Sequence, residues 1–420
     1  MQTVSGQWQI AVRQQNLTSA LGNQKLHKIK SYSFKWLSGI HEIDSAAWDA
    51  LALGLKTPFL EWEWLQQMEA SGSISPKTGW HPRHLTVWNG QRMVAAAPLY
   101  IKTHSEGEFV FDRIWANAAA HLGISYYPKM VGMSPVTPLI GYRFLMAEDR
   151  NEQQMNRIMT DEIIRFCIHH HLSGCSFLFA DPAWKESMAG LDFSEWIHPG
   201  MLWENPGFRD FDQYLGLFHS GQRRNIRREI GSMEKQGIRI RIFRGDEIPE
   251  SFIPLMYRCY EMTNENYGPW GSKYLNQNFF EGIYTHYRHR LLFAAACNGE
   301  NQGQPLGMAM LVHKGEQLFG RYWGSISRIR GLHFNVCYYR PIEWAIENSI
   351  RCFDPGLGGD HKIRRGFHLR KTCSLHRFCD ERLDRLMRTH IGEINQLEQE
   401  QIDITNANLP FARNQCIVLT

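Results

Sequence analysis

Leu291-Leu-Phe-Ala-Ala-Ala-Cys297, Leu306-Gly-Met-Ala-Met-Leu-Val312 and Gln317-Leu-Phe-Gly-Arg-Tyr-Trp323 are three apolar runs of strand length. Asn298-Gly299 and the polar loop after it separate the first two, and Lys314-Gly315 separates the last two, so they read as an antiparallel meander. Working upstream, Gln222 to Gln236 predicts a basic helix ended by Gly237, then a strand over Ile238 to Phe243, then helices over Pro249 to Asn266 and Tyr274 to Tyr287. Downstream, Leu332 to Ile350 predicts a helix that Pro341 must kink or restart, and a short strand follows near Phe353. Strand, two helices, meander, helix, strand make one α/β unit.

A similar pattern precedes it by about two hundred residues. Ile43 to Gly72 predicts helix, with Trp48, Leu51, Phe59, Trp62, Leu65 and Met68 as an apolar stripe. His84 to Trp88, the Asn89-Gly90 turn and Met93 to Ile101 predict a hairpin. The expected fold class is therefore α/β (α+β): two tandem units, each a mixed, largely antiparallel sheet flanked by helices. The expected boundaries are 1–34 as a leader, 35–205 and 206–392 as the two units, and 393–420 as a loosely attached tail.

The chain has 420 residues, 43% of them apolar, and a net charge of only +4. A core of ordinary size is affordable, and any nucleic-acid contact must come from a local basic patch. No run is long and apolar enough to suggest a transmembrane helix. Nine cysteines without a CxxC pair, and no secretion signal, point to a reduced, cytoplasmic protein. Arg13, Lys25, Lys28 and Lys30 precede the first acid, Glu42, which is read as a flexible leader in preference to a targeting segment. His169-His170-His171 closes an amphipathic helix capped by Gly174, so no metal is expected there.

Four clusters could carry chemistry. Arg328-Ile-Arg330-Gly331-Leu-His333 lies between the last meander strand and the next helix, where backbone N–H groups could hold phosphate. Arg223, Arg224, Arg227 and Arg228 lie within two helical turns and could grip phosphates bidentately. Gly358-Gly359-Asp360-His361-Lys362-Ile-Arg364-Arg365-Gly366-Phe367 combines close backbone approach, an Asp-His pair for proton handling and cations for an oxyanion. In the first unit, His104, Glu108 and Asp112 recur every four residues and would share one face of an extended strand. Tyr126-Tyr127-Pro128-Lys129 and Ser134 to Pro138 follow as an aromatic and proline-rich lining.

The second unit resembles the GNAT acyltransferase architecture. Taken in order, the blocks GWHPRHL (79–85), PLYIKTHSEGEFVFD (98–112), YYPKM (126–130), QRRNIRRE (222–229), GRYWG (320–324), LHFNVCYY (332–339), GGDHKIRRGF (358–367) and Ser374-Leu-His376 resemble the Fem-like (FemAB-like) N-acyltransferase family, labelled peptidoglycan biosynthesis or recognition. The resemblance implies two GNAT-like domains with the acyl-transfer site in the second. It implies aminoacyl-tRNA or acyl-CoA as donor and an amino-bearing acceptor, a peptidoglycan precursor. It also implies a functional lysine near an aromatic-glycine pair, best matched by Lys362. The chain departs from the family's usual Glu at Asp360 and at Asn335. On this reading Lys362 stabilises the oxyanion and His361 with Asp360 handles the proton. Arg328, Gly331, His333, Arg365, Arg223, Arg224 and Arg227 hold donor phosphates. His104, Glu108, Tyr126, Tyr127, Tyr322 and Trp323 line the acceptor side. Two other expectations compete: a non-catalytic module recognising peptidoglycan precursors, and an RNA-binding protein using the arginine-rich helix.

Overall fold

The computed structural model describes residues 32–266, 268, 271–298 and 304–412. Most of the expected leader, the Gly299 end of the Asn298-Gly299 turn and the end of the expected tail lie outside them. The chain forms a four-stranded and an eleven-stranded sheet with helices on their faces, the α/β architecture expected. In the small sheet, Ser33–Leu37 and the hairpin His84–Asn89/Arg92–Ala97 pair antiparallel, with Leu145–Met146 at the far edge. Pro98 ends the second hairpin strand, and Tyr100–Lys102 leaves for the large sheet.

The large sheet begins with Ile238–Arg244, Leu291–Asn298, Gly307–Lys314 and Gln317–Ser325, the meander and the strand before it, all antiparallel. Cys352–Asp354 comes next, parallel to Gln317–Ser325. The sheet then passes into the first half of the chain. Ser194–Glu204 lies between Cys352–Asp354 and His368–Phe378, and His368–Phe378 also pairs with Gly174–Phe177. The two halves are thus joined by continuous backbone hydrogen bonding, each completing its sheet with a strand from the other.

Three expectations about elements need correcting. The helix expected over 43–72 is two, Ser45–Ala52 and Trp62–Ala70, because Pro58 lies between them and cannot continue a helix. Asp44 caps the first and accepts a hydrogen bond from the Ala47 amide. The helix Glu152–His169 ends on His170 and a left-handed His171, whereas Gly174 opens the next strand. The expected tail, 393–420, begins inside a long helix, Glu381–Ala407, with Leu383, Met387 and Ile391 buried before that boundary and Ile402 buried beyond it. Asn395 and Asn406 tie this helix to the backbones of Glu195, Ile197 and Leu369.

The helix expected over 332–350 is interrupted as Pro341 demands. Leu332–Phe334 is followed by a π-helical stretch, Asn335–Tyr339, then by Arg340–Glu347. A proline has no N–H for the i−4 carbonyl and its ring crowds that carbonyl, so the turn before it widens. That widening falls beside the largest cleft described below.

Candidate functional site

Gln317–Ser325 and Cys352–Asp354 pair only over Gln317–Phe319, so beyond Gly320 the parallel strands splay. The register against Gly307–Lys314 also slips there: Met310 faces Tyr322 and Leu311 faces Gly320, which makes Arg321 the extra residue of a β-bulge. A cleft of about 670 Å3 opens at this point. Its walls include Tyr260, Tyr274, Arg321, Tyr322, Trp323, His333, Tyr338, His361 and Lys362, with Phe109, Val136 and Pro138 contributed by the first half of the chain.

Lys362 sits on the short helix Asp360–Ile363, entered through Gly358 and Gly359 in left-handed conformations. A Cβ on Gly359 would stand 2.4 Å from the His361 ring, so only glycine brings the chain in this close. The Lys362 side chain is buried, and its Nζ donates to the carbonyl oxygens of Gly356 and Leu357, both at 2.9 Å. Burial lowers its pKa to about 8, only partly opposed by the more distant Asp354. Two of the three ammonium protons are occupied, so one remains for a ligand.

His361 Nε2 and the Tyr338 hydroxyl share a hydrogen bond of 2.9 Å. Burial and the charges of Lys362 and Arg365 lower the His361 pKa to about 4, so the ring is neutral at pH 7. His333 stacks on Trp323 with ring centroids 4.0 Å apart, and burial lowers its pKa to about 3. Cys337 also lines the cleft, but burial raises its thiol pKa and removes it as a thiolate nucleophile.

Of the residues expected from sequence, Lys362, His361, His333, Tyr322 and Trp323 come together in this cleft. Others do not. Asp360 is exposed and outside the lining, and the His361 ring bonds Tyr338 instead of Asp360. Arg365 is buried as a strut: it donates to Glu229 Oε2 at 2.7 Å and to the His361 carbonyl at 2.7 Å, over the Phe334 ring. Its guanidinium is committed within the protein, not offered to a donor phosphate. Asn335 is buried and donates to the carbonyls of Glu229 and Gly331, holding the helix start and not facing the cleft.

Arg224, Arg227 and Arg228 are exposed along the helix Ser220–Glu234, with Arg223 half-buried beside them. Gln222 at the helix start donates to the Arg364 carbonyl, and the other end runs under Gly331, with Arg328 and Arg330 exposed just before it. These arginines make a basic rim outside the cleft.

His104, Glu108, Tyr126 and Tyr127 do not line it either. The strand stops at Lys102, and Gly107 and Phe109 are left-handed, so residues 104, 108 and 112 do not share a strand face. Glu108 and Asp112 instead converge on the buried Lys129, whose Nζ donates to Glu108 Oε2 at 2.7 Å, to Asp112 and to Ser105 Oγ at 3.0 Å. Tyr126 donates to Asp112 at 2.8 Å, and Tyr127 bonds Ser105 at 2.8 Å. This knot fixes the loop that delivers Phe109 to the cleft.

Sequence reading singled out neither Arg321 nor Phe109, while Val136 and Pro138 lie in the 134–138 stretch it expected as a lining. Phe109 and Val136 both carry positive φ, at 59° and 46°, a strained conformation for side-chain-bearing residues.

With this geometry in view, comparison with known proteins identifies the family: a profile for FemAB-like proteins of peptidoglycan biosynthesis/recognition matches residues 39–413. The chain belongs to the FemAB-like family. Among solved structures it is similar to FemX, with a TM-score of 0.52 at 13% identity, over 82% of this chain and 98% of that one. The C-terminal domain of a putative lysylphosphatidylglycerol synthetase from Agrobacterium fabrum gives a TM-score of 0.49 at 8% identity, over 84% and 96% of the two chains. A tandem GNAT protein from the clavulanic acid pathway gives 0.43 at 11%, over 83% and 99%. No curated protein sequence matches. The fold of this FemAB-like chain is that of FemX. No helix among the described residues is long and apolar enough to cross a membrane.

Proposed function

We propose that this protein is an N-acyltransferase that forms an amide on an amino-bearing acceptor, a peptidoglycan precursor, using aminoacyl-tRNA or acyl-CoA as donor. The observation that carries the reading is Lys362: a buried ammonium held by two carbonyls, opening onto a cleft whose described lining contains no carboxylate. The acceptor nitrogen attacks the acyl carbonyl and a C–N bond forms. The carbonyl oxygen becomes an oxyanion beside the free N–H of Lys362. As it collapses, the bond to the leaving oxygen or sulfur breaks, and the proton that the positively charged acceptor nitrogen loses passes to the leaving group. Neutral His361, hydrogen-bonded to Tyr338, is the group beside Lys362 able to carry that proton.

No covalent enzyme intermediate is needed; positioning and electrostatics supply the rate. The basic rim of Arg223, Arg224, Arg227, Arg228, Arg328 and Arg330 supports a polyanionic donor and favours tRNA. His333 and Trp323, stacked beside the Gly331 turn, leave bulky rings where a coenzyme pyrophosphate would need open backbone.

The test is product detection by mass spectrometry, with charged tRNA or acetyl-CoA and a peptidoglycan precursor. Lys362→Ala should lower turnover by roughly a hundred- to a thousandfold, the usual loss on removing one oxyanion donor. Unchanged turnover would exclude the lysine role. Acceptor binding with no product from either donor would support a recognition module instead.

A further inference from the structure

We propose that Arg321 anchors a carboxylate carried by the molecule that occupies the cleft, so that the acceptor is an amino acid or peptide with a free acid group. The proposal rests on the acyl-transfer reading only in taking the cleft as the acceptor's site. Arg321 is the bulge residue, placed by the register slip at the point where the strands splay. Its Nη2 donates to the Val136 carbonyl at 3.0 Å and the Tyr322 hydroxyl at 2.8 Å, with Thr137 Oγ1 at 3.4 Å. All three acceptors are neutral. Among the described residues its buried Nε hydrogen-bonds nothing and its Nη1 has no partner.

Other arginines with a buried, unpaired Nε are treated differently. Arg365 faces Glu229 at 2.7 Å and Arg370 faces Asp354 at 2.7 Å. Arg150 faces Asp149 at 3.0 Å. Arg321 has no carboxylate within ion-pair distance among the described residues. A half-buried guanidinium whose Nε is shut off from water normally has a counter-charge. Here the space beside it is the cleft, whose described lining holds two cations, Arg321 and Lys362, and no acid. The counter-charge is therefore assigned to the ligand.

Charge count favours a carboxylate over a phosphate. A monoanion matches one guanidinium with free donors, whereas a phosphate dianion would also call on Lys362, which the proposed reaction uses. The neighbouring walls, Tyr260, Tyr274, Leu275, Tyr322 and Trp323, are aromatic or aliphatic and suit an uncharged stem between amine and acid.

The experiment is calorimetric titration of the full chain with aminocaproate, its primary amide and the matching amino-alkyl phosphate. The acid should bind at least about tenfold tighter than the amide, the scale of a hydrogen bond to a charged group. Arg321→Gln should erase that preference and Arg321→Lys should keep part of it. Lys362→Ala should leave it intact, which separates this assignment from the catalytic one. Circular dichroism establishes that each variant is folded. If Arg321→Gln does not fold, loss of part of the preference in Arg321→Lys supplies the same reading. Equal binding of acid and amide, no binding of either, or a preference that survives Arg321→Gln overturns the proposal. Tighter binding of the phosphate overturns the carboxylate assignment.

Discussion

Two buried lysines, Lys129 in the first half and Lys362 in the second, have opposite electrostatic surroundings. Burial by itself would lower the Lys129 pKa, but Glu108 and Asp112 outweigh it and hold the pKa above its ordinary value. Among the described residues Lys362 hydrogen-bonds two carbonyl oxygens and no carboxylate, and burial, partly opposed by Asp354, pulls it down to about 8. The first lysine is neutralised and lines no large cleft; the second keeps an uncompensated charge and opens onto the largest one described. Depression alone does not mark a site. Lys102 is also lowered, to about 7 by burial, yet it lies over the Trp80 ring outside the cleft. What separates structure from chemistry is an unmatched charge together with space for a ligand.

The largest effect should come from cutting the matched pair. Lys129→Met leaves Glu108 and Asp112 buried without their cation and should destabilise the fold by about 3–5 kcal/mol, read by urea denaturation. Lys362→Met should cost far less or even stabilise, because it removes a charge that burial disfavours. Equal losses in the two variants would break the contrast.

A pH profile sharpens it next. An oxyanion donor must be protonated, so turnover should fall as pH rises through about 8, the folded-state pKa of Lys362. Lys362→Arg, if active, should move that falling limb upward. Stability should run the other way. Between about 8 and the ordinary lysine value of 10.5, the unfolded chain holds a proton on Lys362 that the folded chain has released. The Lys362 contribution therefore rises with pH in that window, and the difference between wild type and Lys362→Met isolates it. A turnover limb that stays in place in Lys362→Arg would assign the titration to another group.

How much of this was legible in sequence follows the same physics. The meander, its flanking helices and the FemAB-like blocks were readable because period-two and helical patterns are local. The 358–367 loop stood out because Gly358-Gly359 beside Asp360, Lys362, Arg364 and Arg365 is an uneconomical way to build a plain turn, and the family resemblance singled out Lys362 within it. Arg321 was not, since a bulge is a register fact between two strands and Gly-Arg-Tyr-Trp-Gly reads as ordinary alternation. Arg365 was misread because its acid, Glu229, is 136 residues away. Glu108, Tyr126 and Tyr127 were expected on the acceptor side with His104, but their spacing said nothing of the buried Lys129 that knots the first three with Asp112 and Ser105, while His104 bonds the Glu106 amide outside that knot.

The smallest expected effect tests what that knot is for. Gly107 has φ of 80°, and a Cβ there would stand 2.9 Å from Val136 Cγ1 and 3.2 Å from the Trp80 ring. Gly107→Ala must therefore push apart the two loops that carry Phe109 and Val136 to the cleft, while leaving Lys129 and its carboxylates in place. The left-handed backbone adds about 1–2 kcal/mol of strain, small beside the loss expected for Lys129→Met. If the first half shapes the acceptor's wall, KM for the acceptor should rise several-fold with kcat little changed, because Lys362 and His361 are untouched. A fall in kcat at constant KM would tie the loop to the chemistry itself and make the first half more than a wall.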